Sequence, residues 1–384
     1  MDSQSRQYFL DALATPSPSG FEEPIQRLNR RYIQSHVDQT RVDIHGNLVA
    51  AAGPTEDAPK LLLAGHCDQI GMLVSHIDDD GFIYAQTIGG WDPQQLIGQA
   101  MSIWPRPVRD HLHRDSEAPD HSGLPKDDVP GSMNADGPIS AVISRKPIHL
   151  LSTKERGRVV DLDELWLDIG AADGVDAKRQ VSIGDPVTLD LRHRPVGGSR
   201  MTGPGMDNKS GMWTVVEALK RATELGTLSC RAHAVATVQE EIGLRGAKTA
   251  AGSIHPDVAI AVDVTHASDC PTIEKNRQGD IRLGRGPVIF RGPNINAKVA
   301  DRLIEICSQQ NLPYQTAAIA RATPNDANAL QIHGGGVAVG LVAIPNRYMH
   351  SAVEMIDLED IDAAATLLAH FADRLGPRCD FIPG

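Results

Sequence analysis

Four short runs of consecutive apolar residues punctuate the chain: Leu61-Leu62-Leu63-Ala64-Gly65, Ala232 to Val238, Val258 to Val262, and Val337 to Ile344. A run with no polar face suits a strand buried on both sides, as in a parallel sheet covered by helices. Between these runs the period changes. Met212, Val215, Val216 and Leu219 follow the i, i+3, i+4, i+7 spacing of an amphipathic helix. The stretch from Leu358 to Leu375 is rich in Ala and Leu and follows Asp357, a good N-cap residue. Near the N-terminus, Phe9, Leu10 and Leu13 predict one helix and Ile25, Leu28 and Ile33 a second, separated by the breaker Thr15-Pro16-Ser17-Pro18-Ser19-Gly20. Strands alternating with helices predict an α/β fold: a three-layer sandwich around a mainly parallel central sheet.

From about Gly71 to about Arg200 the pattern is different. Short apolar or alternating segments (Gly81 to Gln86, Ala141 to Ser144, Leu165 to Ile169, Pro186 to Leu191) are separated by Gly, Pro and Asp, and no long helical period is present. This predicts a small all-β domain, residues 71–198, inserted into a catalytic α/β domain made of residues 1–70 and 199–384. Within the insertion, Arg106 to Ser132 carries His111, His113 and His121 among Asp, Pro and Gly with almost no apolar periodicity. It reads as a solvated loop, or alternatively as a segment lining the site entrance or binding metal.

Composition narrows the possible partners. At 384 residues the chain exceeds what one core usually spans. Its 37 Lys+Arg against 49 Asp+Glu give a net charge of −12, which argues against nucleic acid or an anionic membrane as partner. Only 4% of residues are aromatic, so the core must rest on aliphatic side chains. The five cysteines are scattered and include no Cys-x-x-Cys pair, which fits neither a disulfide framework nor a thiolate zinc site. The first residues lack the basic-then-apolar pattern of a signal peptide, and no apolar run approaches the ~18 residues of a membrane span. A soluble cytoplasmic protein is expected.

Candidate metal ligands fall just past the predicted strands or in the turns that follow. They are His66 with Asp68 two residues on, Asp207 ahead of the Met212 helix, the pair Glu240-Glu241, Asp263 closing Ala259 to Val262, and His350 after Val342 to Ile344. Singly, each could be a turn, a cap or a hydrogen-bonded core residue. In an open α/β sheet, however, ligands bind outside the carboxyl ends of the strands, so this repeated placement brings all of them to one edge. Two imidazoles and three carboxylates with a spare Glu suit two divalent cations, since a carboxylate with two oxygens can serve both. Adjacent Glu240 and Glu241 can divide the work, one ligating and the other moving a proton, and Asp68 can hold the second ring nitrogen of His66.

The order His-x-Asp, Asp, Glu-Glu, Asp, His resembles that of several cocatalytic dizinc exopeptidase families. The gaps distinguish them: 141 residues separate His66 from Asp207, 34 separate Asp207 from Glu241, 22 separate Glu241 from Asp263 and 87 separate Asp263 from His350. An insertion after the first His is similar to the tetrahedral or glutamyl aminopeptidase family. Nearly the whole chain resembles it, through Gly65 to Met72, Ile88-Gly89-Gly90-Trp91-Asp92-Pro93-Gln94, Ile183-Gly184-Asp185-Pro186, Val238 to Ala247 and Pro345 to Ser351. The resemblance implies that Asp207 bridges two metals, with His66 and Asp263 completing one ion and Glu241 and His350 the other. It implies Glu240 as general base and acid and Asp68 as the residue orienting His66. It also implies two divalent ions per subunit (Zn, with Co or Mn as alternatives), short peptide substrates, and a homo-oligomer, typically a dodecamer. Departures are Lys209 where Arg is frequent, Asn325 beside Asp326, and Ala352 at a common Pro position. A deacylase of N-acylated amino acids and a noncatalytic scaffold keeping the fold are the competing readings.

Overall fold

The computed structural model describes residues 1–105 and 137–383, and the His-containing stretch from Arg106 to Ser132 lies outside them. The chain divides into two compact units. One comprises Met1–Ile70, Ile88–Asp92 and Leu191–Gly384; the other comprises Gly71–Thr87 and Pro93–Asp190.

The first unit is built on an eight-stranded sheet. In spatial order the strands are Gln39–Val42, Leu48–Ala52, Arg231–Thr237, Lys60–His66, Val258–His266, Ala338–Asn346, Val288–Arg291 and Gln315–Ala318. The four central strands run parallel, while Leu48–Ala52 and Val288–Arg291 join them antiparallel. Leu61, Leu62, Leu63 and Ala64 are all 0% exposed, as a strand covered on both faces requires. Two residues identify the covering layers. Gly65 faces the helix Met206–Leu225, and Thr237, one residue out of phase with it across the parallel register, donates to Asp326 on the helix Asp326–Gln331. Helices therefore lie on both faces, giving three layers. With few aromatics available, the core is aliphatic; among its exceptions are Trp213 and Phe9, in edge contact at 6.1 Å, and Tyr8 stacked on Tyr32 at 3.9 Å.

One strand differs from its expected length. Val258–His266 continues past Asp263, because its pairing with Ala338–Asn346 runs unbroken to His266 opposite Asn346. Asp263-Val264-Thr265 alternates polar and apolar, with Val264 buried between two partly buried neighbours, the signature of a half-covered strand rather than of a turn. The sheet also has strands without a continuous apolar run, Gln39–Val42 and Gln315–Ala318, which form its two edges.

The second unit is a closed six-stranded barrel. Its strands alternate in burial: along Ile139–Ser144, Ala141 and Ile143 point inward while Ser140 and Val142 do not. Its longest helix among the described residues is Gly174–Gln180, capped by Asp173 accepting from the Asp176 N–H. No described helix is long and apolar enough to cross a membrane.

Two glycines let the sheet and the helix Met206–Leu225 approach closely. A Cβ on Gly65 would lie 2.6 Å from the Gly211 carbonyl, and one on Gly211 would lie 2.3 Å from Asn208 Oδ1. Both obstacles belong to a locked structure, since Asn208 donates to the Val262 carbonyl at 2.9 Å and accepts from the Gly211 N–H at 3.0 Å. Gly65→Ala is expected to destabilise the fold by about 1–3 kcal/mol through overpacking. Denaturant unfolding checks this, and a wild-type midpoint would contradict the close approach.

Candidate metal centre

Parallel strands deliver the first ligands. His66 ends the strand Lys60–His66, and Asp263 stands two residues beyond the paired Ala261 and Ala64, hence level with His66 on the neighbouring strand. The remaining ligands lie where the backbone leaves regular structure. Asp207 sits at the start of Met206–Leu225 with non-helical angles (φ −78°, ψ 107°) and a cis peptide to Asn208. Glu240 and Glu241 occupy the turn after Arg231–Thr237, following Gln239 in the left-handed region at φ 55°. His350 is itself left-handed at φ 58°. Non-glycine residues at such angles persist only where their surroundings hold them.

Asp207 divides its carboxylate between the two imidazoles. Oδ1 is 3.3 Å from His66 Nε2, and Oδ2 is 3.3 Å from His350 Nε2. Asp263 Oδ1 is 3.5 Å from His66 Nε2, and Glu241 Oε1 is 3.5 Å from His350 Nε2. Glu240 stands on the His66 side, at 3.9 Å. The two adjacent glutamates therefore diverge, one toward each imidazole.

Both imidazoles are fixed through their other nitrogen. Nδ1 of His66 lies 3.1 Å from the Asp68 carbonyl, and Nδ1 of His350 lies 2.8 Å from the Gly90 carbonyl. A carbonyl only accepts, so each Nδ1 carries the proton and each Nε2 is presented to the carboxylates. This is the arrangement of a metal-ligating His. Nδ1 of His66 is closer to the carbonyl of Asp68 than to its carboxylate, which is 3.4 Å away. The carboxylate itself accepts from the backbone N–H groups of Glu240 (3.0 Å) and Glu241 (3.2 Å) and from the Ser19 hydroxyl (2.6 Å). Asp68 thus anchors the glutamate turn as well as the histidine.

The cluster is electrostatically unbalanced. His66, Asp207 and Glu241, and likewise His66, Glu240 and Asp263, present ligand atoms within 4.8 Å of one another. At that separation two carboxylates repel by about 3–4 kcal/mol for an effective dielectric constant of about 20. Burial, reinforced by the neighbouring carboxylates, pushes Glu240, Glu241, Asp263 and Asp326 upward from the usual carboxylate range. Burial opposes protonation of the imidazoles, but the surrounding carboxylates outweigh it, raising His66 and taking His350 up to about 11. Asp207 Oδ1 and Glu241 Oε1 are buried without a hydrogen-bond partner among the described residues. Divalent cations would satisfy both oxygens and remove the repulsion, so the donor set fits metal. A third acidic group, Asp161, Asp163 and Glu164, is exposed, and Arg158 pairs with Asp161 and Glu164.

The candidate ligands line a cavity of about 820 Å³ that also reaches Phe290, Ala318, Leu341, Met349 and Arg321. All the expected site residues except Asp68 border it; Asp68 is wholly buried behind them. Two acidic residues absent from the expected set belong to this neighbourhood. Asp326 accepts from the Thr237 hydroxyl at 2.7 Å, and Glu354 accepts from the backbone N–H groups of Asp207 and His350. No spacing in the sequence marks either, because Asp326 is tied to Thr237, 89 residues away, and Glu354 joins His350, four residues away, to Asp207, 147 residues away.

The sequence profile of the M42 glutamyl aminopeptidases matches residues 46–109 and 132–367, well over half of the chain. The chain belongs to the M42 glutamyl aminopeptidase family. Members are metal-dependent aminopeptidases, hydrolases acting on peptide bonds. The lysyl aminopeptidase of Pyrococcus furiosus is 33% identical over 97% of each chain. Among solved structures, the TET aminopeptidase of a marine sediment archaeon of the Thaumarchaeota superposes with a TM-score of 0.85 at 27% identity, covering 97% of both chains. The Pyrococcus horikoshii TET1 peptidase, which can assemble into a tetrahedron or a large octahedral shell, gives a TM-score of 0.79 at 25% identity, covering 97% of this chain and 100% of its own. These neighbours share the α/β fold with its mainly parallel sheet.

Metal removal should expose the imbalance of the M42 site. Chelator-dialysed protein is expected to melt below the metal-replete form, and Zn, Co or Mn to restore it. Ligand at 1,000 times its Kd stabilises by about 4 kcal/mol. Equal melting temperatures for metal-free and metal-loaded protein, with loading verified by elemental analysis, would show that cations do not relieve the carboxylates.

Proposed function

We propose that the chain removes N-terminal residues from short peptides with two divalent ions, and that Asp207 would help hold both. The supporting observation is the division of the Asp207 oxygens between His66 and His350, each at 3.3 Å. In this reading His66 and Asp263 would hold one ion, and Glu241 and His350 the other. The oxygen-rich set with two imidazoles suits Zn, and Co or Mn fit it as well. When bound, such ions supply Lewis acidity toward the scissile carbonyl and the attacking water.

The remaining work falls to side chains of the chain itself. Glu240 takes the proton from the attacking water and delivers it to the departing amine nitrogen. Asp68 keeps the Glu240-Glu241 turn and His66 in register with each other. In a homo-oligomer, a dodecamer by family resemblance, the inserted β domain (71–198) would contribute to assembly and to substrate access. The P. horikoshii TET1 peptidase, which can assemble into a tetrahedron or a large octahedral shell, supports the homo-oligomer. The protein would act on cytoplasmic peptides.

Glu240→Gln preserves shape and should retain two metals while losing about 10²- to 10⁴-fold in kcat on aminoacyl chromogenic amides. Near wild-type turnover with both metals present would remove Glu240 from the mechanism. The same assay run on free and N-acetylated peptides separates aminopeptidase from deacylase, and only free amino termini should be processed.

Beyond the ligands, the charged side chains lining the cavity are Arg277 and Arg321, with His266 beside them. Arg277 is already paired with Glu274 at 2.8 Å, which leaves Arg321 without an ion pair among the described residues. An acidic group on the substrate would complement it. Arg321→Ala is expected to lower kcat/KM for acidic relative to leucyl substrates about two- to fivefold, the worth of an exposed ion pair. An unchanged ratio would rule out this contact.

A further inference from the structure

Glu354 is 1% exposed, and its carboxylate is directed at the main chain rather than into the cavity. One oxygen, Oε2, accepts from the Asp207 N–H at 2.9 Å, and the other, Oε1, accepts from the His350 N–H at 2.8 Å. A single buried side chain therefore joins the backbones of two residues that are 143 positions apart in sequence (207 and 350) and whose side chains meet at 3.3 Å. Burying a carboxylate costs several kcal/mol unless hydrogen bonds satisfy it. Only a group with two diverging acceptor oxygens can take both N–H donors, and a neutral amide of the same shape would turn a donor toward one of them.

The two halves of the site are not equally supported. His66 and Asp263 sit on adjacent parallel strands, where ladder hydrogen bonds fix the backbone. Glu241 and His350 sit in turns. The Glu241 turn is held by Asp68, through the Glu241 N–H at 3.2 Å. His350 has left-handed backbone at φ 58°, two residues after Tyr348 at φ 62°. Such angles cost an L-residue roughly 1–2 kcal/mol, so His350 keeps them only while something restrains it. Glu354 provides that restraint. Asp207 has other support, because the next residue, Asn208, is tied to Val262 and Gly211.

We infer that Glu354 is a positioning residue that sets the spacing of His350 from Asp207, and that it governs the affinity of the turn-borne half of the centre selectively. The inference rests on the reading of Asp207, Glu241 and His350 as ligands. Wild-type protein and Glu354→Gln are stripped of metal and titrated with Co(II), followed by calorimetry and by visible absorption of the bound ion. The wild type should bind two ions per chain. In Glu354→Gln one affinity should stay within about threefold of wild type while the other falls about 10- to 100-fold, the usual effect of losing a hydrogen-bond partner behind a metal ligand.

Two unaltered affinities combined with a lower melting temperature would make Glu354 merely structural and overturn the inference. An equal fall in both affinities would also overturn it. Fewer than two ions in the wild type would overturn the ligand assignment itself, a separate outcome. If Glu354→Gln does not fold, Glu354→Asp serves in its place. It keeps the charge but is one methylene too short to reach both N–H groups, and it is expected to show the same selective loss under the same criteria.

Discussion

Everything at this site follows from a repulsion. Carboxylates that would separate in water are held within 4.8 Å of imidazole nitrogens and of one another, and the chain alone offers them too little positive charge. A cluster of this kind forms only if something rigid resists its dispersal, because relaxing a loop by an ångström or two would relieve up to about 1 kcal/mol for each pair of carboxylates. The four parallel strands at the centre of the sheet provide that rigidity. Their aliphatic residues are sealed on both faces, so the strand ends cannot shift without disturbing the whole core. The cost of assembling the ligands is thus borne by burial elsewhere in the same unit.

Rigid strand ends alone would not complete the site. A parallel sheet brings its carboxyl ends to one edge, but the spacing of strands fixes only what the strands themselves carry. His66 and Asp263 satisfy that condition. Asp207, Glu240, Glu241 and His350 do not, and each is held by something specific: Asn208 locked under Val262, Asp68 under the glutamate turn, and the Gly90 carbonyl on His350 Nδ1. Buried carboxylates therefore take two roles here. Some face the cavity and need cations. Others, Asp68 and Glu354, point at backbone N–H groups and are satisfied without any.

That division explains what was legible in the sequence. The apolar runs gave the central strands, and the placement of His66, Asp207, Glu240, Glu241, Asp263 and His350 at their ends gave a cluster that the structure does bring to one cavity. These features are local: a strand without a polar face and a ligand type at its end can be read from a few consecutive residues. The edge strands Gln39–Val42 and Gln315–Ala318 were not legible, because a half-exposed edge carries neither a continuous apolar run nor a clean alternation. The helix Ala297–Gln310 does carry Val299, Leu303, Ile306 and Cys307 at helical spacing, so its absence from the expected elements reflects no physical obstacle. Asp263 lies in the cluster within a strand rather than at its end, since the strand runs on to His266 by pairing with a partner some eighty residues away, at Asn346.

What stayed hidden has a common character. Glu354, Asp326 and the backbone role of Asp68 all depend on hydrogen bonds spanning large sequence separations to main-chain or hydroxyl groups, which every residue or many residues could offer. A metal ligand announces itself by residue type, whereas the group that positions it is defined by geometry alone. The net charge of −12 is similarly uninformative about the site, because a sum over the chain does not say which acids are buried or what they face. The few buried acids differ from the rest in what they face: cavity or backbone. Which of the two an acid faces decides whether it needs a cation or dispenses with one, and that distinction is set by the fold after the strands have assembled.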